Sequence, residues 1–227
     1  MPRVRARRQV GAADALTQSL DWAPVWPAPT PYVPTPTAPS PVAEKPPAAT
    51  TLEPRKTEQN GVTATARQAD QEGRADDAVA LLNEGIRQVP ESVELLVLRA
   101  SILARQCRLA DAEADLRKAL QLQPSNGQAL LDLGLTLWRR GLAVQAAQTL
   151  DRAAAHQPQN PLAFNYLAEA LNQTGEAEHA VVALERSLAL DPEQPRAYRL
   201  MGRVLDRLHR HEEARVAYRR GQELSAQ

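Results

Sequence analysis

Arg196, Arg199, Arg203 and Arg207 recur at three- and four-residue spacing, which sets four guanidinium groups on one face of a helix. Such a stripe suits a carboxylate or an acidic peptide. Its plainer use is a solvated face on which Glu169 and Asp206 pair some of the arginines. Charge around the stripe is uneven: residues 59–194 hold 12 Lys/Arg against 18 Asp/Glu, and residues 195–227 hold 8 against 4.

Residue types that carry catalysis are sparse. The histidines are His156, His179, His209 and His211. His209 and His211 stand two apart, but a metal ion needs further ligands in matching geometry, and no Cys or His cluster supplies them. Cys107 is the single cysteine and has no histidine near it in sequence. A Gly-rich phosphate loop, Gly-x-Ser-x-Gly and His-Glu-x-x-His are all missing from the sequence. Asp111, Glu113 and Asp115 are expected on exposed helix positions, which gives no catalytic pair. The reading is therefore of a non-enzyme with no metal, no cofactor and no small-molecule substrate.

The elements behind these residues follow from composition. Apolar residues make up 43% of the chain and aromatics 4%, so a core must be built from Leu, Ala and Val, which favours close-packed helices. A formal net charge of zero argues against a nucleic-acid binder. One cysteine allows no intrachain disulfide and fits a reducing compartment. No run of about 18 apolar residues predicts a transmembrane helix. Arg3, Arg5, Arg7 and Arg8 open the chain, but no apolar stretch follows them as a secretory signal requires. The expected location is the cytoplasm.

Residues 1–58 read as a disordered arm, Arg-rich and then Pro-rich, with 11 prolines between Pro24 and Pro54. Proline removes a backbone donor and biases the residue before it away from helix, so this stretch is expected to be extended and solvated. Pro31-x-x-Pro34 and Pro36-x-x-Pro39 suit either a ligand for an SH3-like groove or, preferably, a stiff spacer. Trp22 and Trp26 precede it, as a short docking motif or as residues that pack on the folded body.

After the arm, the sequence repeats. Pro90, Pro124, Pro158 and Pro192 are each 34 residues apart. This period divides the chain into units 59–92, 93–126, 127–160, 161–194 and 195–227. Small residues align as Ala78, Ala112, Ala146, Ala180 and Ala214, and again as Ala66, Ala100, Gly134, Ala168 and Gly202. Larger ones align as Leu82, Leu116, Leu150, Leu184 and Tyr218, as Val62, Leu96, Leu130, Phe164 and Tyr198, and as Ala69, Leu103, Leu137, Leu171 and Leu205. Antiparallel helices approach closely only where one presents a small side chain, so the small rows predict contact points and the large rows the filling beside them. Gly73, Gly141 and Gly175 fall where the first helix of a unit must stop and reverse, with Cys107 and His209 in that place in units two and five. Asn160-Pro161 reads as an N-cap followed by proline at the first helical position, and Ser92 and either Ser125 or Asn126 read as further caps. The expected fold is all-α, an α-solenoid of about five helix-turn-helix repeats.

These rows resemble the tetratricopeptide repeat family. In unit three the matching residues are Leu130, Leu133-Gly134, Leu137, Ala146, Leu150 and Pro158; in unit four they are Phe164, Leu167-Ala168, Leu171, Ala180, Leu184 and Pro192. The resemblance covers residues 59–227. Unit one departs from it with weak core residues (Val62, Thr65, Ala69), and unit five has no closing proline but an outer surface rich in Arg210, Arg215, Arg219 and Arg220.

The resemblance implies a concave groove, lined by the first helix of each unit, that binds peptides or extended protein segments. Projecting those helices sets Leu131, Leu135, Trp138 and Arg139 toward the groove from unit three. Unit four adds Leu162, Asn165, Glu169 and Asn172, and unit five adds Arg196, Arg199, Arg203 and Arg207. Leu131, Leu135 and Trp138 exceed the needs of the core rows and form the expected apolar patch, although Trp138 equally suits packing against the adjacent first helix. Arg199 and Arg203 are the expected anion contacts. The expected partner is then a protein or peptide segment that is acidic and carries an apolar anchor. Some family members clamp a chaperone-tail carboxylate with Lys/Arg and Asn. The matching places here hold Thr63, Arg67, Leu98, Gln128 and Asp132, or in the next register Val97, Ser101, Asp132, Leu162 and Tyr166, and neither set is a clamp. The function expected is a protein-interaction scaffold; an envelope or pilus assembly factor in a bacterium, or an accessory subunit of an enzyme complex, are the alternatives.

Overall fold

The computed structural model describes residues 52–226; Trp22, Trp26 and both Pro-x-x-Pro motifs of the expected arm lie outside the described residues. Among the described residues there are ten helices and no strand. They are α1 (Leu52–Gln71), α2 (Ala75–Gln88), α3 (Val93–Arg105), α4 (Leu109–Leu122), α5 (Gly127–Arg139), α6 (Ala143–His156), α7 (Pro161–Thr174), α8 (Ala177–Leu190), α9 (Pro195–Arg207) and α10 (His211–Ser225). They pair into five helical hairpins on the 34-residue period. The first helix starts at Leu52, ahead of the boundary expected at residue 59. Pro54 falls in its first turn, where a missing N–H breaks no helical hydrogen bond.

Each hairpin reverses at one left-handed residue. These are Gly73 (φ 78°), Cys107 (62°), Gly141 (78°), Gly175 (91°) and His209 (59°). The residue after each donates its N–H to a carbonyl five residues earlier: Arg74 to Ala69, Arg108 to Leu103, Leu142 to Leu137, Glu176 to Leu171 and Arg210 to Leu205. This closure satisfies carbonyls that a helix end leaves unpaired. At the other end, side chains cap three first helices. Ser92 Oγ accepts from the Leu95 N–H (3.4 Å), Asn126 Oδ1 from Ala129 (2.9 Å) and Asn160 Oδ1 from Leu162 (3.0 Å). Asn126, not Ser125, is the cap of α5.

The aligned rows form the interior. Leu82, Leu116, Leu150 and Leu184 are fully buried, as are all five alanines of the Ala78 row. Each such leucine contributes about 1.5–3 kcal/mol by leaving water. The small row marks the closest approach of paired helices: a Cβ on Gly134 would lie 2.4 Å from Leu150 Cγ, and one on Gly202 2.5 Å from Tyr218 Cε1. One continuous core joins the hairpins, so each is completed by its neighbours.

Every helix packs on its neighbours in the chain. The first helices of the hairpins (α1, α3, α5, α7, α9) also touch one another in succession, whereas the second helices do not. The array therefore curves toward its first helices, and they line the concave side.

Two carboxylates expected on exposed positions are interior. Glu113 is 3% exposed and Asp115 is 7% exposed. Arg99 grips Asp115 with both Nε (2.7 Å to Oδ2) and Nη2 (2.5 Å to Oδ1), and its Nη1 donates to Asn83 Oδ1. Glu113 pairs with Arg117 at 2.7 Å and with Arg140. Partners on the paired helix (Arg99) and beyond the next helix (Arg140) reach these carboxylates, which a single-helix projection does not register. Arginines then neutralise the buried charge. Asp111 does stay exposed and pairs with Arg108.

Candidate functional site

The 34-residue period turns the groove into a ladder of equivalent rungs. Arg67 Nη2 meets Glu94 Oε1 at 3.3 Å, and 102 residues further on the same two repeat positions bring Arg196 Nη2 to Glu169 Oε1 at 3.0 Å. Both pairs span 27 residues and join successive first helices, with the charges exchanged. Between them, the same positions hold Ser101 with Gln128, then Leu135 with Leu162. The ladder thus runs from charged, through neutral polar and apolar, to charged again.

Between α1, α3 and α5 the ladder opens into a depression of about 690 Å³, lined among others by Arg67, Glu94, Val97, Leu98, Gln128 and Asp132. Gln128 Nε2 donates to Asp132 Oδ1 at 2.9 Å. No cation pairs with this carboxylate among the described residues. Burial raises the Asp132 pKa above the usual carboxylate value, and the Gln128 hydrogen bond offsets part of the rise. A smaller depression of about 460 Å³ lies between α9 and α10, lined by Arg196, Arg199, Arg203, Tyr218 and Gln222.

The family model for the tetratricopeptide repeat matches residues 63–127 and 107–161, and a second model of the same repeat matches residues 163–204. The chain belongs to the tetratricopeptide repeat family. No curated protein matches it in sequence. Among solved structures it resembles a crystal structure of MamA, with 22% identity over 71% of this chain and 94% of that one and a TM-score of 0.67. It also resembles MamA from residue 41 to its end, from Desulfovibrio magneticus RS-1, with 22% identity over 74% of this chain and 94% of that one and a TM-score of 0.69. A structure from the functional characterisation of Pseudomonas aeruginosa pilF gives 22% identity over 75% and 78%, with a TM-score of 0.68. At these identities the likeness is one of fold.

Within the tetratricopeptide repeats, the residues expected to line one groove divide by role. Leu131 is 5% exposed and belongs to the core, not to an exposed apolar patch. Asn165 and Glu169 are buried between successive first helices: Asn165 Nδ2 donates to Gln194 Oε1 at 3.1 Å, and Glu169 holds Arg196. Leu135 and Trp138 are half-buried against the core. Trp138 Nε1, Glu169 Oε2 and Asn172 Oδ1 are buried without a hydrogen-bond partner.

Arg139 and Arg207 are tied to the array itself. Arg139 Nη1 donates to the Ala104 carbonyl at 2.6 Å, and Arg207 Nη1 donates to the Asn172 carbonyl. Arg105, one repeat earlier than Arg139, meets Asp70. Each of these arginines reaches the last turn of the preceding first helix, where the helix dipole favours a cation. The four-arginine stripe of α9 is therefore three devices: Arg196 on an ion pair, Arg207 on a helix end, and Arg199 and Arg203 beside Tyr218.

Val97, Leu98, Gln128 and Asp132 occupy groove positions of units two and three in the tetratricopeptide ladder. Sequence reasoning reached them as the places of a carboxylate clamp and set them aside because they form none. Lacking a tryptophan or an arginine run, they gave no other sign of a ligand site. His211 Nδ1 lies 3.2 Å from Asp206 Oδ1, and its ring meets His209 edge-on. No group of three metal-binding side chains occurs among the described residues, and no helix among them is long and apolar enough to cross a membrane.

Proposed function

We propose that this tetratricopeptide repeat array is a protein-interaction scaffold, with no catalysis of its own, whose first-helix groove holds an extended segment of a partner protein. The observation that carries this reading is the depression of about 690 Å³ on the concave face, where apolar Val97 and Leu98 stand beside hydrogen-bonding groups. Farther along the same face, Leu135 and Trp138 extend the apolar surface, and Asn172 adds a polar one. Arg199 and Arg203 supply anion contacts at the far end. A role in pilus assembly has only a likeness of fold in its favour.

Affinity capture with the full chain tests the scaffold. Val97→Arg/Leu98→Arg should lose the enriched proteins, whereas Val144→Arg, at an exposed position of α6, should retain them. The same proteins captured by all three chains would refute a groove site.

A further inference from the structure

We infer that the depression between α1, α3 and α5 is selective for a basic segment: a lysine or arginine of the partner places its cation on Asp132 and lays its aliphatic stem on Val97 and Leu98. This deepens the groove reading and rests on it. It concerns a different part of the groove from the arginine stripe of α9, on which the expected acidic partner rests.

Charge provides the first argument. The lining carries Glu91, Glu94 and Asp132 against a single cation, Arg67. Arg67 is already held by Glu94 at 3.3 Å, so no cation among the described residues is paired with Asp132 or Glu91. A half-buried carboxylate with one neutral donor and no counter-ion is costly, and an arriving cation removes that cost. Nearby arginines cannot serve. Arg99 is bound to Asp115 and Asn83, Arg105 to Asp70, and Arg139 to the Ala104 carbonyl.

Shape provides the second argument. Lysine and arginine bury their methylene stems on apolar surface while the head seeks an anion. Val97 and Leu98 belong to α3 and Asp132 to α5, and all three line the same opening. An acidic side chain placed there would meet Asp132 and Glu94 as like charges.

The test uses fluorescence polarisation with the folded full-length chain. The probes are four pools of synthetic octapeptides, randomised over Ala, Leu, Ser and Val except for one central residue fixed as Lys, Arg, Met or Glu. The Lys and Arg pools should bind about tenfold more tightly than the Met pool, as one charge-assisted contact implies, and the Glu pool should bind least. Asp132→Asn should abolish the preference. So should Gln128→Lys, which sets an intramolecular cation one helical turn from Asp132 while keeping the carboxylate. Helical circular dichroism confirms that both variants are folded.

Binding that Val97→Arg/Leu98→Arg abolishes, but that shows no Lys/Arg preference or keeps it in Asp132→Asn, overturns the basic-segment inference and leaves the groove standing. Binding that survives Val97→Arg/Leu98→Arg overturns the groove reading and this inference with it. No binding by any pool overturns the basic-segment inference.

Discussion

Arg139 donates a hydrogen bond to the carbonyl oxygen of Ala104, 35 residues earlier, and so fastens the end of α3 to the end of α5. Arg207 does the same for Asn172. Guanidinium groups that look free on a helical projection are thus part of the joint between repeats. Arg139→Ala should lower stability by about 1 kcal/mol, the worth of one exposed hydrogen bond to a charged group. It should leave the affinity of the octapeptide pools unchanged. Urea titration and polarisation on the same variant check both halves.

Cys107 and His209 adopt left-handed backbone (φ 62° and 59°) at the repeat position where three other units have glycine. A non-glycine residue pays about 1–2 kcal/mol there. Cys107→Gly and His209→Gly should each stabilise the array by up to about 1 kcal/mol after the extra freedom of the unfolded glycine is counted. Gly141→Ala should change stability in the opposite direction by a similar amount. A shift in urea midpoint without a change in slope is the expected readout.

Gly134 lies where a Cβ would come within 2.4 Å of Leu150 Cγ. Gly134→Val should therefore destabilise by about 1–3 kcal/mol through overpacking. Combining it with Leu150→Ala should recover part of the loss, because the two side chains compete for one space. Thermal unfolding of the two single variants and the double variant measures this coupling.

Asp115 is 7% exposed and held by both Nε and Nη2 of Arg99. Arg99→Met leaves a buried carboxylate without its partner and should cost about 3–5 kcal/mol. Arg99→Met with Asp115→Leu should be far less destabilised than Arg99→Met alone, since no charge is then left buried. Equilibrium denaturation of both chains decides the matter.

Asp132 has a folded-state pKa raised above its unfolded value, chiefly by burial. Its ionised form is the one the fold disfavours, so the cost is full above the folded pKa. The cost shrinks as pH falls through that pKa and is gone below the unfolded value. Asp132→Asn should accordingly be more stable than the wild type at neutral pH, and the gap should close in acid. Arg67, Glu91 and Glu94 share the depression, so the comparison is read as a difference between the two chains at each pH. A gap that widens on acidification would contradict this account of the Asp132 environment.

Much of the architecture could be read from one dimension. The 34-residue period, the five reversals from Gly73 to His209, the caps Ser92, Asn126 and Asn160, and the rows around Leu150 are local matters. Backbone conformation, proline placement and side-chain size at a helix contact all act within a single repeat and its neighbour. Which polar groups remain available for a ligand was settled only by tertiary packing. Leu131 became part of the core, and Asn165 became interior where Gln194, ahead of the following hairpin, meets it. Arg139 and Arg207 were drawn to carbonyls 35 residues away, and Asp132 was left half-buried with no counter-ion among the described residues. Exposure and pairing depend on what the neighbouring hairpin places opposite each side chain, and a helical projection of one segment carries no term for that.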